Sequence, residues 1–314
     1  MITGFPKILR LDSEHIALSR LFHGPVEVTE KVDGSYFAFG IINGVLCARS
    51  KGQQLDLDNP PGMFREGVEY IRSIEGRLPQ STVFHCEYLQ KPKHNVLRYN
   101  RIPKNHLVLF AAYSPSLNFW STREFVVGFA AALEIDIVQQ FVCIDELMGN
   151  AQFFDECLKH ESFLGGPKIE GVVIKNYAQK GEYGGKELWP LSAKIVSPEF
   201  KEVHKQEWSQ GKDKVHEYFR SFATEARWQK AVQHLRDQGK LTNTVQDIGL
   251  LLKEVNVDTA EEEKEEIKEF LWNHYSKDFR RVLANGFPQW YKSQLAGVDG
   301  TVDTVDSKST ALGA

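Results

Sequence analysis

The sequence predicts an α+β fold in which antiparallel sheets fill residues 1–202, an all-helical domain follows over 203–295, and 296–314 form a tail. Three observations carry this. Short alternating apolar runs separated by polar turns dominate up to about residue 200. An Asn43-Gly44 pair sits between two such runs, a tight-hairpin signal because both residues tolerate positive φ. Beyond Ser197-Pro198 the alternation gives way to helical spacing in a segment rich in Glu, Lys, Gln, Leu and Trp.

In chain order, strands are expected at 26–29, 36–42, 45–49, 82–88, 107–113, 171–176 and 193–196, with helices at 63–74 and 123–133 between them. In the helical domain, Val245, Ile248, Leu251, Leu252 and Val255 mark a short helix. A second helix is expected to start near Thr259, with Glu262 completing a capping box, and to run on through Ile267, Phe270, Leu271, His274, Tyr275, Phe279 and Val282. The residues after 296 are small and polar and are read as disordered.

Composition narrows the class. The 314 residues are 42% hydrophobic and 25% charged, which suits a globular protein with a buried core. Four cysteines, Cys47, Cys86, Cys143 and Cys157, show no metal-ligand spacing, and three lie in apolar runs. This predicts reduced thiols and a cytoplasmic setting. No apolar run is long enough for a bilayer, and the N-terminus lacks the build of a signal peptide. No obligate protein partner is evident. A net charge of -4 argues against coating nucleic acid by bulk attraction, so any polyanion site must be local.

Chemistry is suggested by charges set into apolar strands, which cost free energy unless paired or used. Glu30-Lys31-Val32-Asp33-Gly34-Ser35 places a lysine between two strands and before an Asp-Gly turn. Such an amine, once desolvated, is a nucleophile. Arg49 ends a strand, Glu87 lies inside one, and Phe110 closes another. Glu170 and Lys175 bracket an apolar strand containing Val172, and Lys194 interrupts the last one. These strands are expected to share one sheet. His85 is expected to face away from Glu87 as packing or surface.

Taken in order over about residues 30–200, these motifs resemble the covalent nucleotidyltransferases, whose catalytic domain has ATP-grasp-like antiparallel sheets. The Ser197–Glu202 turn, with helices rather than a β-barrel behind it, resembles the RNA ligase 2 type. The resemblance implies an ATP-dependent RNA ligase that seals 5′-phosphate and 3′-hydroxyl ends through lysyl-AMP on Lys31. It implies nucleotide contacts from Glu30, Arg49, Glu87, Phe110, Val172, Lys175 and Lys194, with Phe110 stacking on adenine, and a divalent cation, Mg2+ or Mn2+, at Glu170. Two positions depart from the family pattern: Tyr36 stands where Asn is usual, and Val196 replaces a second lysine, for which Lys201 is a substitute. The alternative readings are a minimal ATP-dependent DNA ligase and a non-catalytic nicked-duplex binding module.

RNA ends or a nicked duplex (RNA or RNA/DNA hybrid) are the expected partner. From Tyr88 to Arg123 there is no acidic residue, while Lys91, Lys93, Arg98, Arg101, Lys104 and Arg123 are interleaved with His94, Tyr99 and His106. A basic loop with aromatics suits phosphate contacts. Lys205, Lys212, Lys214, Arg220, Arg227 and Lys230 are expected to grip the duplex as well, and the acidic stretch 261–269 to face solvent.

Overall fold

The computed structural model describes residues 1–11, 18–144, 151–200, 214–238 and 240–298. Its strands form two main antiparallel sheets, and the charge-bearing strands, expected to share one sheet, are divided between them. The first sheet runs, edge to edge, β1 (Leu9–Arg10), β13 (Leu191–Val196), β10 (Gly171–Asn176), β2 (Val26–Lys31) and β9 (Gln140–Ile144). Every pairing in it is antiparallel except β1 with β13. The second runs β4 (Val45–Ser50), β3 (Ser35–Ile42), β5 (Thr82–Tyr88), β6 (Leu107–Ser114) and β7 (Phe119–Trp120), with β8 (Asp136–Ile137) parallel to β6. A separate hairpin joins β11 (Gly181–Tyr183) to β12 (Lys186–Leu188). The expected strands are all present, and Asn43 and Gly44 take φ of 53° and 75° at the β3–β4 hairpin.

Side-chain alternation gives each sheet two unlike faces. On the second sheet, Phe37, Phe39, Phe84 and Cys86 pack with α1 (Arg65–Ser73) and α2 (Arg123–Ala132) in the largest core. On the first, Val26, Val28, Val172, Ile174 and Ala193 pack with Leu21 and with Phe154 of α3 (Ala151–Cys157). The remaining face of each sheet lines one cleft: Thr29, Lys31, Val173 and Lys175 from the first, Glu87, Val108 and Phe110 from the second.

The chain divides into two compact units, Met1–Glu263 and Lys264–Ala314. The expected boundary at 202/203 lies outside the described residues. The first unit includes α4 (Lys214–Arg220) and α5 (Glu225–Asp237), the latter capped by the Thr224 hydroxyl accepting from the Arg227 amide. It also includes the start of α6 (Ile248–Leu283). The expected break near Thr259 is absent. Thr259 lies mid-helix, its hydroxyl donating back to the Val255 carbonyl, and the true capping box is Thr244 with Asp247. In so acidic a segment a Glu three residues after Thr259 is supplied by composition, so the pattern loses meaning there. The second unit holds the rest of α6 and α7 (Phe287–Val298), where Phe287 and Tyr291 stack at 6.1 Å. The helix α7 runs past residue 296, and 299–314 lie outside the described residues.

Candidate active site

Lys31 is positioned by the crossing between sheets. Lys31 is the last residue of β2, and four residues later Ser35 begins β3 in the other sheet. Gly34 does not adopt positive φ here. It is needed because a Cβ would meet the Leu89 side chain and the Tyr88 carbonyl at 2.9 Å and the Glu87 carboxylate at 3.2 Å. The Asp33 carboxylate turns aside and accepts the Val96 and Leu97 amides, each at 2.7 Å, while the Tyr99 hydroxyl donates to the Asp33 amide at 2.8 Å. The crossing is thereby tied to the basic loop 91–104.

Lys31 Nζ lies 2.5 Å from Glu170 Oε2, which immediately precedes β10. Burial pushes the amine's pKa down, but Glu170, with Asp33 and Glu87, outweighs it and holds the pKa above the ordinary lysine value. The Lys31 amine is therefore an ammonium. Burial pushes Glu87, across the cleft, up to about 8, against the pull of Lys31.

Phe110 is aimed by a bulge. Cys86 pairs with Leu109 and His85 with Ala111, leaving Phe110 as the extra residue on β6. Its carbonyl accepts from Lys175 Nζ at 2.8 Å. Lys175 is 1% exposed and also pairs with Glu27 at 3.0 Å, and Glu27 in turn meets Arg123 at 3.2 Å and the Tyr177 hydroxyl at 3.1 Å. Burial lowers the Lys175 pKa, with Glu27 opposing. Lys175 thus closes the floor of the cleft instead of standing free for phosphate.

The N-terminal segment, unremarked in the sequence, contributes Phe5 and Ile8 to the lining. The Phe5 ring meets Phe110 and His85 edge-on at 5.2 and 5.6 Å, and its amide donates to the Tyr36 hydroxyl at 2.9 Å. Tyr36 also bonds His85 Nδ1 at 2.7 Å. His85 is 2% exposed, and burial depresses its pKa to about 3, so the ring is neutral. It does not face away from Glu87: residues two apart on a strand share a face, and His85 stands 6.3 Å from the Phe110 ring.

Other expected site residues divide. Glu30 borders the cleft, but its carboxylate is buried on the far side, accepting the Phe163 amide at 3.2 Å while Oε1 has no partner. Burial raises it to about 7, eased only in part by Ser162 and Phe163. Val172 points into the first sheet's core, and Val173 lines the cleft in its place, because the residue opposite Lys31 is Gly171 and the period is two. Arg49 is absent from the lining, and its guanidinium donates to the carbonyls of Ile2, Ser50 and Lys51. Lys194 is paired in register with Val173, on the cleft face. Val196, the departure from Lys, lies in the same row as Gly171 and Lys31, whereas Lys201 lies outside the described residues.

The basic loop exposes Lys91, Lys93, Arg98 and Lys104, while its His94, Leu97 and Tyr99 are buried beneath it. Arg101 is held by Asp136 at 2.5 Å. Arg123 turns inward to Glu27 and the Val138 carbonyl rather than toward a polyanion. In the helical part, Arg227 is 1% exposed and pairs with Glu263 at 3.0 Å, and Lys230 pairs with Asp258 and Glu262. These two cations therefore do not form a duplex-gripping face, and Glu262 and Glu263 do not face solvent. Lys205 and Lys212 lie outside the described residues.

Phe110, Phe5, Ile8, Val108, Val138 and Val173 give the cleft apolar walls, among which Lys31, Glu87 and Lys175 are set. That lining suits a flat base with its polar tail directed toward Lys31. Among the described residues no three His, Cys, Asp or Glu side chains could hold a metal together, and no helix is long and apolar enough to cross a membrane.

A model of the RNA ligase family matches residues 24–195. Comparison with curated protein sequences gives no match. Among solved structures the chain is similar to Naegleria gruberi RNA ligase with PPi, at 16% identity and a TM-score of 0.47, covering 63% of this chain and 57% of that one. A mutant of that ligase with ATP and Mn gives 15%, 0.47, 63% and 56%, and another with AMP and Mn gives 15%, 0.46, 63% and 57%. The chain spans a little over half the length of these structures.

Proposed function

The chain belongs to the RNA ligase family, and on that premise we propose that it is an ATP-dependent ligase joining 5′-phosphate to 3′-hydroxyl RNA ends through lysyl-AMP on Lys31. The observation that carries this reading is the placement of Lys31 at the seam of two sheets, against Glu170 and facing Glu87 and Phe110. Lys31 Nζ attacks the α-phosphorus of ATP. Before the attack the Lys31 ammonium gives one proton to the Glu170 carboxylate beside it; the P–N bond then forms as the bond to pyrophosphate breaks, and the nitrogen loses its second proton to the departing pyrophosphate. AMP then passes to the 5′-phosphate, and the 3′-hydroxyl displaces it. Such transfers need positioning and positive charge more than further covalent chemistry.

Phe110 offers a face for adenine, Glu87 an acceptor for the ribose, and Lys194 a cation for phosphate oxygens. Glu170 is the carboxylate to which a divalent cation would bind. A magnesium-type ion is often held by one or two carboxylates with substrate phosphates and water, so the absence of a three-ligand cluster among the described residues fits it. When bound, it would supply charge neutralisation on the phosphates. Lys91, Lys93, Arg98 and Lys104, exposed on a loop anchored by Asp33, suit the backbone of an RNA end or nicked duplex. Cys47, Cys86 and Cys157 are free thiols, in keeping with a cytoplasmic setting.

The test is labelling with α-phosphate-labelled ATP or GTP in magnesium, with Lys31→Ala alongside. Acid-stable label from ATP that vanishes in the variant is the expected result. Label from GTP would move the protein to capping chemistry, and no label on a folded chain would refute the enzyme. Nicked duplexes carrying RNA or DNA at the 3′-hydroxyl side then separate an RNA from a DNA ligase.

A further inference from the structure

Glu27 is a buried carboxylate that does not line the cleft, yet its partners hold residues that do. By parity it shares a face of β2 with Thr29 and Lys31, and it stands opposite Lys175 in register. Its Oε2 accepts from Lys175 Nζ at 3.0 Å and from the Tyr177 hydroxyl at 3.1 Å, and its Oε1 accepts from Arg123 at 3.2 Å. Two of these partners make a further bond that reaches the cleft. Lys175 Nζ donates to the Phe110 carbonyl at 2.8 Å, and Arg123 Nη2 donates to the Val138 carbonyl at 2.6 Å. Lys175, Phe110 and Val138 all line the cleft.

The cluster joins the two sheets. Glu27 and Lys175 belong to the first, Phe110 belongs to the second, and Arg123 opens α2, which packs on the second. Phe110 is the extra residue of a bulge and has no partner in the β5–β6 register. Lys175 supplies a bond from the other sheet, and its ammonium lies 5.7 Å from the centre of the Phe110 ring. That hold is firmest while the donor is charged, since a charge-assisted hydrogen bond is about twice as strong as a neutral one. Burial works against the charge on Lys175, as does Arg123, and Glu27 opposes both.

We propose that Glu27 is a positioning residue of the nucleotide site, which through Lys175 fixes Phe110 where a base stacked on it points its ribose and phosphates toward Lys31. The inference rests on the Lys31 cleft taking a nucleotide with Phe110 as the platform for its base. It adds a residue that touches neither the base nor the phosphates. A single strand then sets both ends of the site: Lys31 closes β2, and Glu27, four residues earlier, holds the platform.

The experiment titrates the full chain by calorimetry with adenosine, and separately with inorganic pyrophosphate. Glu27→Gln keeps the shape of the side chain and removes its charge. It should weaken adenosine about fivefold, against about tenfold when Phe110→Ala removes the base–aromatic stack, and leave pyrophosphate unchanged. Because Glu27 acts through Phe110, the double variant should bind adenosine no more weakly than Phe110→Ala alone, whereas a merely structural role would add a loss of its own. Unaltered adenosine affinity in Glu27→Gln, with or without a change for pyrophosphate, overturns the proposal, and so do losses that add in the double variant. If Glu27→Gln melts early, Lys175→Met answers instead, since it leaves Glu27 and Arg123 as a balanced pair. It should show the same loss for adenosine and the same lack of additivity with Phe110→Ala, and full affinity overturns the idea. Adenosine carries no phosphate and cannot label Lys31. Absence of adenosine binding to the wild-type chain therefore overturns this inference, while label from ATP on Lys31 shows separately whether the reading beneath it holds.

Discussion

Replacing Glu30 by glutamine tests the burial of a carboxylate beside Lys31. Glu30 is 2% exposed, and its carboxylate is eased only by Ser162 and the Phe163 amide. Its pKa in the fold stands at about 7, against 4.5 without the fold's influence. The sign follows from linkage: the folded chain keeps this proton to higher pH than the unfolded chain does, so folding is penalised as pH rises. The penalty is small below the unfolded value, about 1 kcal/mol near pH 5, and reaches about 3 kcal/mol near pH 8, above the folded value. Glutamine does not titrate. Relative to Glu30→Gln, the wild-type chain should therefore lose about 2 kcal/mol between those conditions. Urea unfolding of both proteins at intervals from pH 5 to pH 8 measures the difference directly. A gap between the two proteins that stays flat with pH, or narrows as pH rises, would refute the reasoning, because it would mean that the carboxylate is solvated or paired.

Two further substitutions probe the cleft and its crossing. Phe110→Ala should raise KM for ATP in the Lys31 labelling reaction about tenfold, the loss of one base–aromatic stack, while Phe110→Tyr retains most of the affinity; equal KM values would remove the stacking role. Asp33→Ala leaves the buried Leu97 amide and its neighbour Val96 without their acceptor and should cost about 2–4 kcal/mol. Its loop should exchange amide hydrogens faster and bind RNA more weakly, Asp33→Asn recovering part of both, and unaltered exchange at residues 96–97 would count against the anchoring.

Part of the site was legible because charge is expensive in an apolar strand. Lys31, Glu87, Glu170 and Lys194 stood out for that reason, and the structure brings the first three together within reach of one another's charge. Parity carried more than was drawn from it. Lys175 on the cleft face puts Val173, not Val172, there as well, and Glu87 brings His85 with it. Other features depend on contacts distant in sequence. Nothing local in Phe5 announces that it will pack on Phe110, and Glu27 reads as one polar residue in a strand until Arg123, Lys175 and Tyr177 surround it. The acidic run 261–269 looked solvated for the same reason: its partners Lys51 and Arg227 are 211 and 36 residues away from their contacts.

The register of β2 joins folding to chemistry. Gly171 stands opposite Lys31 and Val172 opposite Glu30, so Lys31 meets the cleft while Glu30 is buried. A slip of one residue would exchange the two faces. It would aim Glu30 into the cleft and bury the lysine among Leu21, Val172 and Ile174. What opposes the slip is not the site but the core: Val26 and Val28 are fully buried on the other face, each contributing about 1.5–3 kcal/mol by leaving water. A shifted strand would surrender that burial and place Glu27, with its partners Arg123, Lys175 and Tyr177, against apolar neighbours. The choice of Lys31 as the residue that meets the cleft is thus enforced by valines that never touch it. Gly34 then allows the chain to cross to the second sheet without moving Glu87 away, so that the lysine and the facing carboxylate are set by the same few residues.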